Sequence, residues 1–584
     1  MSATAWIVFG VFLAYVIWDG VRRSARASDL DEYYAGGRKI PWWAAGLSIM
    51  ATQASAITVI GTTGQGHDGG LSFVQFYFGL PFAMVLLCLF FVPVYRRLPI
   101  LTVYEYLEGR FNRPTRALAS LVFLASRCLA LGIVITAPAV VMSAMLELPL
   151  ETTIVVVGVL TTGYTVFGGV SAVVWTDVKQ MAVILGGIVL CFVWLAIDVF
   201  SEIGLEGALR AAGAAGKLNA FELVPPSTDL MPRLVGDESG QRSFWEHKYT
   251  FWTGLIGGLF LQLSYFGCDQ SQVQRILTNP SANDSRKALL LSAFAKVPMQ
   301  LLVLAIGVLL WLSHGLQGEP ILYRPDDRAR AEASEDREAF ASLEARFEAA
   351  QAARREALLA IAEAGDEASQ ELTARYQNTV DEALAVRTEA ASTYGARGKR
   401  EDTNFVFPQW ILATLPGPLL GLIVAAIFAA AMSSVDSVLN SLSAATVVDF
   451  YLPYLRPRAS QRESVRAGRI TTMLWGVVAT WTALVMISGS SIIEQVNRVG
   501  SYFYGSLLGV FVLGLFFPRV RGWAGFFGLC GGMVSVLIVD ATLRVEYLWY
   551  NVVGVVGVLV TALPFALWGR RSSVSGPSSP AQPG

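Results

Sequence analysis

The run LLGLIVAAIFAAAMSSVDSVLNSLSAATVVD, residues 419–449, decides the fold. It exceeds the about 20 apolar residues that cross a bilayer, and as a helix it reaches roughly 45 Å. Its middle is unsuited to a passive anchor, because Ala429, Ala430 and Ala431 precede Ser433, Ser434, Asp436, Ser437, Asn440, Ser441 and Ser443. At about 100° per residue, Ser433, Ser437 and Ser441 share one face, with Ala430 and Ser434 beside it. A mid-span Asp costs about 2.5–3.5 kcal/mol on insertion scales, so Asp436 belongs against a protein-lined or watery cavity. Hydroxyls, a carboxylate and alanine carbonyls are hard oxygen donors that suit a small alkali cation. Small residues serve a helix–helix seam equally well. Asp436 tips the reading toward an ion site.

The rest of the chain agrees with a polytopic membrane protein. Of 584 residues 54% are hydrophobic, in repeated runs near membrane length, and no stretch resembles a cleaved signal peptide. A net charge of −1 gives no case for nucleic acid. Cys88, Cys128, Cys191, Cys268 and Cys530 lie in apolar runs without metal-ligand spacing and read as packing residues. His67, His247 and His314 form no HxxxH, no zinc set and no nucleophile–base pair, so an enzyme is not expected.

Spans are expected at about 4–21, 42–66, 73–95, 117–146, 151–168, 177–199, 250–275, 287–313, 409–448, 467–488, 492–517, 522–541 and 549–569. Arginines and lysines at 22–39, 96–116, 456–469 and 570–571 all fall on one side, whereas the loops at 67–72, 147–150 and 489–491 carry none. The basic side is cytoplasmic, which puts the N-terminus outside and the C-terminus inside. Residues 200–249 read as a mixed polar loop on the outer side. Residues 319–403 read as a helical-hairpin insert there, broken near Gly365. One hairpin helix has a stripe of Phe340, Leu343, Phe347, Leu358 and Ile361, the other of Leu372, Tyr376, Val380 and Leu384. Such a hairpin caps a vestibule, binds a partner or is a solvated insertion. The transmembrane transporter domain is expected over residues 1–571, and the tail 572–584 is disordered by composition.

The span at 42–66 is polar and ends in Gly61, Gly64 and Gly66; five spans later LFLQLSYFGCDQSQVQRILT is also polar and interrupted, and runs the opposite way. Broken polar helices at matching places in two halves indicate an inverted-repeat transporter. Close helix packing alone accounts for Gly61 and Gly64 but not for so many hydroxyls.

Six stretches carry a family likeness: ASAITVIG (54–61), LTVYEYLEGRFN (101–112), GIVITAP (132–138), YTVFGGVSAVVWTDVKQ (164–180), YFGCDQSQVQR (265–275) and VAAIFAAAMSSVDSVLNSLSAATVVDFY (424–451). Together they make the chain, from about residue 40 to 520 without the insert, resemble the sodium:solute symporters of sugars, iodide, vitamins, monocarboxylates, proline and sialic acids. The resemblance implies an all-α LeuT-type core, a 5+5 inverted repeat over about 42–517. It implies sodium as coupling ion at the carbonyls of Ala51, Ala54 and Ala430 and the hydroxyls of Ser433 and Ser434. A second sodium site, described for the sialic acid branch, falls on Asp177, Ser433, Asp436 and Ser437, with Asp436 where that branch has Ser. Asp177 reads equally as a helix-start cap, and Asp436 as a proton carrier.

On the substrate side the resemblance implies Gln53, Ser55, Thr58, Tyr77, Arg127, Tyr265, Phe266, Lys296 and Asn497. Gln53 and Tyr77 replace the Asn and Glu of the sugar branch, which argues against glucose. Arg127 lies about 16 Å along its span, too deep to snorkel, and needs a partner. That partner is either a substrate carboxylate, which its planar fork pairs best, or an internal acid, Asp177 or Asp269. Lys296 reads alternatively as the counter-charge of Asp269. The expected function is sodium-coupled import of a small, anionic organic solute. The alternatives are a sodium-coupled sugar or amino-acid symporter, a proton-coupled carrier, and a transporter-like sensor.

Overall fold

The apolar runs become helices. The structure is a computed structural model describing residues 2–24, 29–146, 148–166, 169–223, 231–235, 242–364, 370–395, 403–486 and 492–571. In chain order the elements used below are α1 (Ala3–Ser24), α2 (Trp42–Gln53), α3 (Ala56–Gly69), α4 (Arg113–Leu146), α5 (Val170–Ala214), α6 (Gly258–Gly267) and α7 (Gln270–Leu277). They continue as α8 (Ala282–Gln317), α9 (Arg337–Glu363), α10 (Gln370–Tyr394), α11 (Gly417–Ala445) and α12 (Ile492–Phe516). Among the described residues the expected spans lie mainly on helix, but the one expected at 409–448 is broken at residues 415–416, where Thr403–Thr414 ends before Gly417–Ala445 begins, and that at 73–95 turns at residues 78–79. Eight helical stretches among the described residues are long and apolar enough to cross a membrane, and three shorter apolar ones lie at Ala3–Asp19, Leu150–Gly163 and Thr253–Cys268. Val159, Ile197 and Trp481 remain more than 60% exposed, as a lipid-facing surface requires.

At the centre of the bundle lies α11, buried from Ile423 to Ala445. It packs on α1, α2, α3, α4, α5 and α7. Glycine lets α3 and α8 touch through their backbones: a Cβ on Gly66 would lie 2.5 Å from the Leu304 carbonyl oxygen, and one on Gly307 would lie 2.3 Å from that of Thr63. The glycines therefore serve packing. The interruption of the first polar span lies elsewhere than expected: helix runs on through Gly61, Gly64 and Gly66, and the break is at Ala54 and Ser55.

Two further expectations change. α5 continues to Ala214 past a turn at Gly204 (φ 68°), so the segment expected as loop from residue 200 begins as helix. In the hairpin, α9 and α10 pack on each other, and the α9 stripe is buried as expected. Leu384 of α10, however, is 53% exposed, while Ala383 and Val386 take the inward positions beside Tyr376. The hairpin also sits on the bundle, where Arg210 donates to the Ala362 carbonyl at 2.8 Å. Arg233–Leu234 pairs antiparallel with Leu543–Arg544 and ties the long polar loop to the last helical hairpin. The break near Gly365, the 489–491 loop and the 572–584 tail lie outside the described residues.

Candidate functional site

Interrupting a helix strips backbone carbonyls of their partners, and burial makes each one costly unless something else satisfies it. No Pro or Gly lies at the α2–α3 break; side chains of other helices take over the freed carbonyls. Ser433 donates to the oxygens of Ala51 (3.0 Å) and Ala430 (3.1 Å). Ser434 donates to those of Thr52 (3.0 Å) and Ala430 (3.1 Å). Thr58 and Lys296 reach the Gln53 carbonyl at 2.9 and 3.3 Å. Ala51, Ala54, Ala430, Ser433 and Ser434 are all within 3% of complete burial. Ala51, Thr52, Ala430, Ser433 and Ser434 thus form a nest of neutral hard oxygens, the chemistry that a dehydrated alkali cation requires; the Lys296 ammonium sits on the adjacent Gln53 carbonyl, and no hydrogen bond among the described residues brings the Ala54 carbonyl into the nest. Thr52, which meets Ser434, was not in the expected set.

One helical turn along α11 the environment differs. Ser437 lies 3.0 Å from Thr52 Oγ1 and 3.4 Å from the carboxylate of the buried Asp436. Ser437 also receives a short hydrogen bond from Arg275 Nη2. The same guanidinium donates from Nε to Ser48 (3.0 Å) and lies 3.7 Å from Asp177, whose Oδ2 accepts from Ser48 at 2.5 Å. Asp177 sits two turns inside α5, which begins at Val170, so it is no helix-start cap. A fixed cation, Arg275, thus stands among Asp177 and Ser437 of the second expected site. Sequence reasoning quoted Arg275 within a motif and gave it no role.

The second broken helix supplies the other charged centre. α6 ends at Gly267, and Asp269 caps α7 by accepting from Ser271 N at 2.8 Å and Ser271 Oγ at 2.5 Å. The other oxygen of Asp269 takes Arg127 Nε in a short ion pair, so the internal acid beside Arg127 is Asp269 and not Asp177. Arg127 is 6% exposed, with its guanidinium carbon 4.8 Å from the Tyr265 ring centre and 5.5 Å from that of Tyr504. Its Nη2 has no hydrogen-bond partner among the described residues. Lys296 does not balance Asp269, which Arg127 already holds. It lies on the Gln53 carbonyl, 5.8 Å from the Tyr77 ring centre.

The expected substrate residues therefore gather in two groups. Gln53, Thr58, Tyr77 and Lys296 surround the first break, with Ser55 in the break itself; Arg127 and Tyr265 sit at the second, with Phe266 against Tyr265. The Gln53 side-chain nitrogen is buried without a partner among the described residues, a second orphaned donor. Asn497 joins neither group through a hydrogen bond described here: its amide bonds back to the Ile493 carbonyl within α12 at 2.8 Å.

Outside the membrane-spanning segments, Glu319 and Lys217 meet under the hairpin at a cavity of about 300 Å³. Burial alone would raise the Glu319 carboxyl, but Arg387, Arg354 and two histidines hold it well below the usual carboxylate range. Burial pulls the Lys217 ammonium down to about 8, against Asp68. The cysteines are free, and all but Cys530 are buried, as packing residues are.

The sequence model of the Sodium:solute symporter family matches residues 33–340 and 387–532. The chain is 24% identical over 559 residues to the sodium/sialic acid symporter SiaT of Proteus mirabilis, covering 95% of this chain and 92% of that one. It is 26% identical over 530 residues to the sodium-coupled monocarboxylate transporter 2 of Bos taurus, with 91% and 69% covered. Among solved structures it is similar to a Na+-coupled sialic acid symporter in its substrate-bound outward-open state. The TM-score there is 0.73 at 22% identity, with 97% and 98% of the two chains covered.

Proposed function

Since the chain belongs to the sodium:solute symporter family, a multi-pass LeuT-type carrier with sodium as coupling ion, we propose that its solute is a small organic carboxylate held by Arg127. The carrying observation is the Arg127 guanidinium: its Nε is spent on Asp269, while Nη2 is buried without an acceptor among the described residues. An orphaned cationic donor is expensive, and a carboxylate relieves it with a charge-assisted bond. Tyr265 and Tyr504 flank it and offer apolar faces to the rest of the solute. That relatives are named as sialic acid and monocarboxylate carriers supports the class.

Sodium binds in this reading between the α2–α3 break and α11, at Ala51, Ala54, Ala430, Ser433 and Ser434. Because its ligands include the carbonyls of the break, an ion there fixes α3 relative to α2 and so shapes the Gln53–Thr58 wall of the solute site. Each charge moved inward across 100 mV contributes about 2.3 kcal/mol to accumulation. The N-terminus and the hairpin face outward and the C-terminus faces the cytoplasm, a reading that rests on the four basic segments. The test is thermal stabilisation of purified protein by sialic acid, lactate, pyruvate, glucose and proline, in sodium and in potassium. A carboxylate that stabilises only in sodium, and not in Arg127→Ala, is the expected result. A neutral solute that binds Arg127→Ala equally well would overturn the carboxylate assignment.

A further inference from the structure

His67 closes α3, His314 lies in the last turn of α8, and Glu319 and Tyr323 open the segment that leads to the hairpin. Sequence spacing gave no zinc set, yet 247 positions apart the two imidazoles meet, with His67 Nε2 3.2 Å from His314 Nδ1. Glu319 Oε2 lies 3.8 Å from the first nitrogen and 3.5 Å from the second. We propose that His67, His314 and Glu319 form a transition-metal site, best suited to Zn2+, which staples the hairpin to the end of the broken α3.

The geometry fits the metal. A triangle with those three sides has its centre about 2.0 Å from each corner, within the range of Zn–N and Zn–O bonds. Tyr323 Oη, 3.0 Å from His314 Nδ1, donates to Glu319 Oε2 and orients that ligand oxygen, and the fourth position is open to water. Outer partners already orient the set: Asp68 holds His67 Nδ1 at 2.8 Å, and Arg354 and Gln351 donate to Glu319 Oε1 at 2.9 and 3.0 Å. A carboxylate behind a ligating imidazole is a frequent device for fixing its tautomer. Lys217, Arg354 and Arg387 oppose a dication. Lys217, however, is spent on the carbonyls of His67 and Asp68, and Arg354 on Glu319 and the Trp311 carbonyl. Arg387, 3.9 Å from Glu319 Oε2 and stacked over the Tyr323 ring, is the cation that an ion at this place has to displace. The cavity under the hairpin, which His67 and Glu319 line, is the entry path.

The test is titration of tag-free, full-length protein in detergent with Zn2+ against a chromogenic chelator, and with Co2+ read by its visible spectrum. One equivalent of Zn2+ is expected, with the intense bands of a four-coordinate cobalt site. His67→Ala and His314→Ala should weaken binding by more than about 100-fold, beyond the about 10–100-fold of an outer partner such as Asp68→Asn. Cys530→Ser should leave it unchanged. Melting of the metal-free variants, with and without sodium, reports whether they fold, and Asp68→Asn carries the test if the histidine variants do not. Absence of stoichiometric binding in the parent protein would overturn the proposal, and so would affinity that ignores His67, His314 and Asp68 together.

Discussion

Replacing Ser433 by Ala separates the ion-binding role of the α11 hydroxyls from their capping role. Without sodium the hydroxyl shares its proton between the Ala51 and Ala430 oxygens at 3.0 and 3.1 Å. Removing it strands the Ala51 carbonyl in a buried break, at about 1–3 kcal/mol. Melting in potassium should therefore fall. A sodium ion bound as proposed would take over the Ala51 oxygen but lack the Ser433 ligand, for an expected net loss of about 1–2 kcal/mol in ion binding, or about 5–30-fold. The assay is thermal unfolding across mixtures of sodium and potassium at constant ionic strength, and the quantity read is the sodium concentration at half-maximal stabilisation. Ser434→Ala should behave alike. Ser443→Ala, whose hydroxyl bonds the Gly468 carbonyl at 2.8 Å, should lower melting and leave that midpoint alone. If Ser433→Ala and Ser434→Ala melt lower in both salts with unmoved midpoints, the serines are caps only and the ion binds elsewhere.

Arg275→Met should destabilise by about 3–5 kcal/mol, because it leaves buried Asp177 without its cation; Asp177→Asn in the same chain should restore part of the loss, and strictly additive melting shifts would refute the pairing. Gly307→Ala should cost about 1–3 kcal/mol by pushing α8 off the Thr63 carbonyl, read by melting. At the hairpin of the last helices, burial pushes the Glu546 carboxyl up, and Glu494 adds to this against Lys248 and Arg498. A raised acid favours the folded protein in acid, and that contribution disappears as pH climbs from the ordinary glutamate value through the raised one. Glu546→Gln should then melt higher than the parent at neutral pH, with the difference closing in acid; a gap that widens in acid would contradict the shift.

The spans and the hydroxyl face of α11 were legible because bilayer thickness and helical periodicity act locally. The break in the first polar span was not. Glycine marks where a chain can bend, and Gly61, Gly64 and Gly66 drew the reading toward them, whereas the bend at Ala54–Ser55 is held by serines 382 positions away. Arg275 was missed for a related reason. At the end of a span an arginine reads as an interfacial anchor, and its neighbours Ser48, Asp177 and Ser437 lie on α2, α5 and α11. The unusual density of glutamine and serine in QSQVQR was the available signal, since so polar a turn inside the bundle needs a buried partner. His67 and His314 carry no short-range spacing at all and meet only through the α3–α8 glycine contact.

Because the α2–α3 bend is held by side chains of α11 and by Lys296 of α8, those segments act as a set. A chimera that borrows residues 42–69 from a distant relative should lose the bend unless it also borrows the serine face of α11, and the reverse exchange should fail for the same reason. Recombination between carriers of this kind is workable at the loops that leave both partners of each carbonyl together. A crossover between residues 70 and 416 parts Ala51 and Thr52 from Ser433 and Ser434.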